Sequence, residues 1–124
     1  MVFSNKEIKY RYQKIFNGNE KLRIGVAVAL INLENQVLLE KRSDCGWWGV
    51  TGGGLNKGEN IFKCAEREIF EECGIRIEKK DLSLLNIYSD PKEGRILQYK
   101  DNRIYLIDFV FFLQGIFGDL IISE

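Results

Sequence analysis

One segment, Asn60 to Cys73, carries the strongest folding signal in this chain of 124 residues. Phe62, Ala65, Ile69 and Cys73 recur at steps of three and four, which gathers them into one apolar stripe on a helix. Asn60 stands where a side chain caps the first turn, and Gly74 stands where a left-handed residue ends the last. A helix this short needs a surface on which to bury its stripe. The flanking sequence offers strands. Arg23 to Asn32 is rich in Val, Ile and Ala and reads as a buried strand; Leu33-Glu34-Asn35 reads as a hairpin turn leading to a second strand over Gln36 to Lys41. Beyond the helix come a strand over Leu82 to Ser89, a loop through Pro91 and Gly94, and a strong strand over Arg103 to Leu113. Lys6 to Phe16 is expected to form a short helix, followed by a turn at Asn17-Gly18-Asn19. Ser43 to Gly58 holds six of the twelve glycines and is expected to be irregular. Strands on both sides of one helix, in a chain long enough for one core, predict a single α/β domain with a mixed sheet.

Composition narrows the chemistry. Lys plus Arg and Asp plus Glu number 18 each, so the formal net charge is zero. That balance argues against a nucleic-acid partner, which calls for a basic excess, but leaves room for a local pocket taking a small anion. There is no histidine, which excludes histidine bases, triads and metal ligands together. Cys45, Cys64 and Cys73 are odd in number and match no metal spacing; they read as reduced thiols of a cytoplasmic protein. The start of the chain has no signal-peptide character. The apolar stretch Ile104 to Ile122 contains Asp108, Gln114 and Asp119 and is broken by two glycines, so it reads as buried strands and not as a membrane span.

Acid–base and metal chemistry must therefore come from carboxylates, and the central helix supplies a cluster. Glu68, Glu71 and Glu72 share one face, about a quarter turn from the apolar stripe. Glu68 and Glu72 form a like-charge pair four apart, which destabilises a helix by roughly 0.2–0.5 kcal/mol. Clustered carboxylates also raise each other's pKa values. A hard divalent cation relieves both effects, and oxygen donors favour Mg²⁺, Mn²⁺ or Ca²⁺ over zinc. Taken alone, such a face also suits a solvated surface. The preceding Thr51-Gly52-Gly53-Gly54 adds a backbone that a ligand can approach closely.

Gly53 to Ile75 reads GGLNKGENIFKCAEREIFEECGI and resembles the Nudix box, with every fixed position filled: Gly53, Glu59, Arg67, Glu68, Ile69, Glu71, Glu72, Gly74 and Ile75. At ordinary residue frequencies a chance match in this chain is roughly one in ten million. Gly25 to Arg42 resembles the family's strand pair ending Leu-Leu-x-x-Arg, and Trp48 to Gly53 resembles its entry to the box. The resemblance implies a Nudix-type α/β/α sandwich with a mixed sheet. Relatives run on for a further strand and helix past the position of Glu124, so the C-terminal elements are expected to be missing or shortened.

The resemblance further implies a hydrolase acting on the pyrophosphate of a nucleotide substrate, with Mg²⁺ or Mn²⁺ as cofactor. Glu68, Glu71 and Glu72 would be the main metal ligands, completed by the Gly52 carbonyl, with Glu59 near the metals. Arg67 would orient Glu71. Arg42 is a candidate phosphate contact alongside Gly53 and Gly54, with an exposed strand-end charge as the alternative. The base is Glu68 or an acid of a later loop, Glu93 or Asp101. Trp47 or Tyr88 is a candidate to stack on a nucleobase, with a core position as the alternative. Thr51 replaces the family's usual proline, and Asn56 stands where many members are acidic. Pro91, sixteen residues after Ile75, resembles a marker of some ADP-ribose pyrophosphatases. ADP-ribose or a nucleoside-diphosphate sugar is thus the first choice of substrate, and a homodimer is implied. Nucleoside triphosphates, dinucleoside polyphosphates and a nucleotide sensor without turnover stand as alternatives.

Overall fold

The structure is a computed structural model that describes residues 11–41, 48–99 and 101–115. Its strands are β1 (Arg11–Gln13), β2 (Lys21–Ile31), β3 (Glu40–Lys41), β4 (Trp48–Gly49), β5 (Thr51–Gly54), β6 (Ser83–Tyr88), β7 (Ile96–Tyr99) and β8 (Asn102–Gln114). One α-helix, α1 (Ile61–Cys73), lies between β5 and β6. The main sheet runs β1-β7-β8-β2-β5, with β6 pairing β8 beside β7; β3 and β4 form a separate two-stranded ribbon. At its centre β2 and β8 are parallel from Lys21↔Ile104 to Ile31↔Gln114, and β5 lies antiparallel to β2. The sheet is therefore mixed, as the sequence predicts. Among the described residues one helical layer of the expected sandwich is seen, and no helix is long and apolar enough to cross a membrane.

Side chains of β2 alternate across the sheet. Val26, Val28 and Leu30 face α1 and bury with Cys64, Ala65, Ile69, Ile77 and Phe111. The Phe62 and Phe111 rings lie 5.4 Å apart, joining the stripe of α1 to β8. Asn60 caps α1 by accepting from the Lys63 amide at 2.9 Å, and Gly74 ends it at φ 71°. The turn after β2 is set by Asn32, whose side chain accepts from the Glu34 and Gln36 amides, with Asn35 in the left-handed region at φ 61°.

Four expectations are corrected. Arg11–Gln13 is a strand and not part of a helix, because pairing with β7 overrides local propensity; residues 1–10 lie outside the described residues. Gln36 to Lys41 contributes only a bridge, Ile31↔Val37, and the two residues of β3. The glycine run Thr51–Gly54 is a strand, where an irregular loop was expected. β7 was not foreseen; it forms a hairpin with β8.

Candidate active site

The glycines of β5 are explained by what surrounds them. A side chain on Gly52 would collide with the Val26 carbonyl, and one on Gly53 with the Glu68 carboxylate. One on Gly54 would meet the Arg23 guanidinium. Thr51, the first residue of β5, is 1% exposed. A strand of this composition has poor intrinsic propensity. Here it lets α1 set its acidic face directly on the backbone.

Arg67 organises that face. Its Nε donates to Glu59 Oε2 at 2.8 Å and its Nη2 to Glu59 Oε1 at 3.0 Å. Nη1 donates to Glu68 Oε1 at 2.7 Å and more weakly to Glu71 Oε2 at 3.4 Å. Nη2 also reaches the Gly54 carbonyl at 3.0 Å, tying the helix to β5. The sequence assigned Arg67 to Glu71; its short bonds go instead to Glu59 and Glu68, and Glu71 is more than half exposed. The Arg67 hydrogen bonds hold the Glu59 carboxyl down at about 2, against an ordinary value of 4.5, despite the opposing effect of burial.

Glu72 is the opposite case. Burial first, then the neighbouring carboxyls of Glu40 and Glu68, push it up to about 8. Among the described residues its Oε2 is buried with no hydrogen-bond partner. Glu40, which the sequence reading passed over, enters from β3 and is held by Thr51 Oγ1, which donates to Glu40 Oε1 at 2.9 Å. The only sequence signal for it is its place two residues before Arg42 at the end of the Leu-Leu-x-x-Arg strand.

These donors fit a hard divalent cation. They are carboxylate oxygens, one of them buried and orphaned, crowded against like charges. Among the described residues no three acidic or thiol side chains close around a common point, and Glu68 is turned toward Arg67. Burial raises the Cys64 thiol to about 11 and the Cys73 thiol likewise upward, so both stay protonated beside the acids.

The remaining expected residues are spread more widely. Gly52, Gly53, Glu59, Glu68, Glu71 and Glu72 lie on β5, on α1 or in the turn between them. Glu93 is exposed on a short 3-10 turn, and Asp101 is exposed at the tip of the β7–β8 hairpin. Tyr88 ends β6, with the Arg95 guanidinium 5.9 Å from its ring centre. Arg42, Cys45 and Trp47 lie outside the described residues.

Comparison with known proteins decides the family. The sequence matches the NUDIX domain family over residues 21–118. The chain belongs to the Nudix family. It is 35% identical to an ADP-ribose pyrophosphatase of Methanocaldococcus jannaschii, over 95% of this chain and 66% of that protein. It is 41% identical to an RNA pyrophosphohydrolase of Actinobacillus pleuropneumoniae, over 51% of this chain and 30% of that protein. The chain thus spans just under two thirds of the first relative and about a third of the second. Its fold is shared with the MutT protein of Methanosarcina mazei, with a TM-score of 0.64 and 22% identity over 86% of this chain and 73% of that one. As a Nudix chain it is of a hydrolase family whose relatives are named for cleaving pyrophosphate bonds, and Nudix hydrolases use divalent metals.

Proposed function

We propose that this Nudix domain hydrolyses the pyrophosphate of a nucleoside diphosphate linked to another moiety, ADP-ribose or a nucleoside-diphosphate sugar first, with Mg²⁺ bound by Glu68, Glu71, Glu72 and the Gly52 carbonyl. The observation that carries this reading is the buried, partnerless Oε2 of Glu72 among neighbouring carboxyls, on a helix packed against a glycine strand. A cation there would neutralise the anhydride oxygens and favour attack by water.

The chain's own residues do the positioning. Arg67 fixes Glu59 and Glu68 and ties them to β5 through Gly54. Glu68 accepts the proton of the attacking water; its Oε1 is held by Arg67, and its carboxylate occupies the space a side chain on Gly53 would need. Gly53 and Gly54 let the phosphates approach the backbone, and Arg42 offers a planar guanidinium to phosphate oxygens. The substrate preference is supported by the ADP-ribose pyrophosphatase relative, which aligns along nearly the whole chain. A homodimer is supported by Leu84, Leu85 and Ile87, exposed on β6.

The test is a phosphate-coupled assay with Mg²⁺ over ADP-ribose, ADP-glucose, diadenosine polyphosphates, nucleoside triphosphates and a 5′-triphosphorylated RNA. Turnover greatest on ADP-ribose or ADP-glucose supports the reading. Turnover greatest on the RNA would replace it with the activity named for the second relative.

A further inference from the structure

We propose that the end of the sheet where β2 and β8 begin carries a second ligand site, for a phosphorylated sugar. A cavity of about 440 Å³ opens there, lined by Asn19, Lys21, Arg23, Asp101, Asn102 and Arg103. That volume lies at the small end of ligand sites and suits a molecule smaller than a nucleotide. None of the box acids lines it, so the inference goes beyond the hydrolase reading and does not depend on it. Lys21 and Arg23 stand two apart on β2 and therefore share one side of the sheet. The Arg23 guanidinium fills the space that a side chain on Gly54 would need, so the bare glycine gives it a seat. Among the described residues neither Lys21 nor Arg23 enters an ion pair.

Arg103 is the opposite case. Its Nη1 donates to the side chains of Gln13 at 3.0 Å and Gln98 at 3.2 Å, and its Nη2 to the Ile15 carbonyl at 2.7 Å and Glu20 Oε2 at 3.2 Å. Glu20 is held in turn by the Asn17 and Gly18 amides, each at 2.8 Å. Arg103 and Glu20 thus form a fixed, charge-balanced wall, which leaves Lys21 and Arg23 as unanswered positive charge in a chain of zero net charge. Two such cations in one cavity call for an anion. A guanidinium matches phosphate oxygens as a fork, and an ammonium adds a point charge. Asp101 is the one acid lining the cavity, and it pairs with neither cation. Its carboxylate repels a bare phosphate but accepts from hydroxyl groups, and the carboxamides of Asn19 and Asn102 both donate and accept. Cations for a phosphate beside groups for hydroxyls are the donor set of a sugar phosphate. Cleavage of a nucleoside-diphosphate sugar releases such a molecule, so the reaction proposed above is one source of it.

Ribose 5-phosphate titrated into the purified chain in EDTA, followed by calorimetry and by amide nuclear magnetic resonance, tests this without reference to metal or turnover. The amides of Asn19, Lys21, Arg23, Asp101 and Asn102 should shift saturably. Lys21→Gln and Arg23→Gln, both at exposed positions, should each weaken binding roughly tenfold with Tm unchanged. Asp101→Asn should weaken binding of ribose 5-phosphate and leave that of inorganic phosphate equal or tighter. The proposal is overturned by the absence of saturable binding up to about 10 mM, by shifts confined to residues 52–72, or by Lys21→Gln and Arg23→Gln chains that bind like the wild type. Inorganic phosphate bound as tightly as ribose 5-phosphate would overturn the assignment to a sugar.

Discussion

Arg67 grips Glu59 with two hydrogen bonds, Nε to Oε2 at 2.8 Å and Nη2 to Oε1 at 3.0 Å, across the eight residues that separate the box's first acid from its arginine. This pair fixes the turn before α1 to the helix. The Glu59 carboxyl is held at about 2, below its ordinary 4.5, so the pair stabilises the fold fully above pH 4.5. The contribution is lost as pH falls through about 2. The Tm difference between the wild type and Glu59→Gln should accordingly be constant from neutral pH down to about 5 and shrink toward zero at lower pH. A difference that stays constant into acid would show that the pair does not act through its charge.

Glu72 predicts the reverse pH dependence. Its carboxyl is raised to about 8, so the metal-free fold is most stable while this group is protonated. That stability is present below pH 4.5 and is lost as pH rises through about 8. The metal-free Tm should fall between pH 5 and 8.5, and Mn²⁺ should restore more at the upper end. Glu72→Gln should flatten the metal-free profile. Binding of Mn²⁺ at pH 7 should release protons, measurable with an indicator dye in weak buffer.

The Glu68 carboxylate occupies the space that a side chain on Gly53 would need. Gly53→Ala should displace Glu68 and weaken divalent-ion binding by roughly tenfold or more. Gly49→Ala is the control, because no atom of the described residues lies within 4 Å of the added methyl. Equal Mn²⁺ affinities in the two variants would remove Glu68 from the ligand set.

Asn60 caps α1 through a 2.9 Å bond from the Lys63 amide. Asn60→Ala should cost about 1 kcal/mol and lower Tm by about 4 °C. Turnover at low temperature should be retained, since the Asn60 side chain bonds the Lys63 amide and not a carboxylate of the acidic face.

The parts of this architecture that were legible in the sequence are those with a local signature. The stripe, cap and terminal glycine of α1 fix its bounds to within a residue. The β-branched runs locate β2 and β8, because strands buried in a parallel pair read as continuous apolar segments. β5 was hidden, since three glycines in a row oppose a strand locally; only the crowding by Val26, Glu68 and Arg23 explains them. β1 and β7 are short and owe their conformation to each other and to β8. The box named Glu68, Glu71 and Glu72 as a set, but the division of labour among them was not readable. The resemblance put Arg67 with Glu71, and a 3.4 Å bond does join them, but the shorter bonds of Arg67 go to Glu59 and Glu68. Glu40 was missed because its proximity to Glu72 depends on the β3–β5 arrangement, which no local pattern encodes.

The central claim is that a carboxylate-held divalent cation drives pyrophosphate cleavage by this chain. It is tested most directly by ADP-ribose hydrolysis with Mg²⁺, with EDTA, and with Glu72→Gln in Mg²⁺. The account predicts turnover in the first case, none in the second, and a loss of at least roughly a hundredfold in the third, where a metal ligand is gone. Turnover that persists in EDTA, or a folded Glu72→Gln chain as active as the wild type, would contradict it.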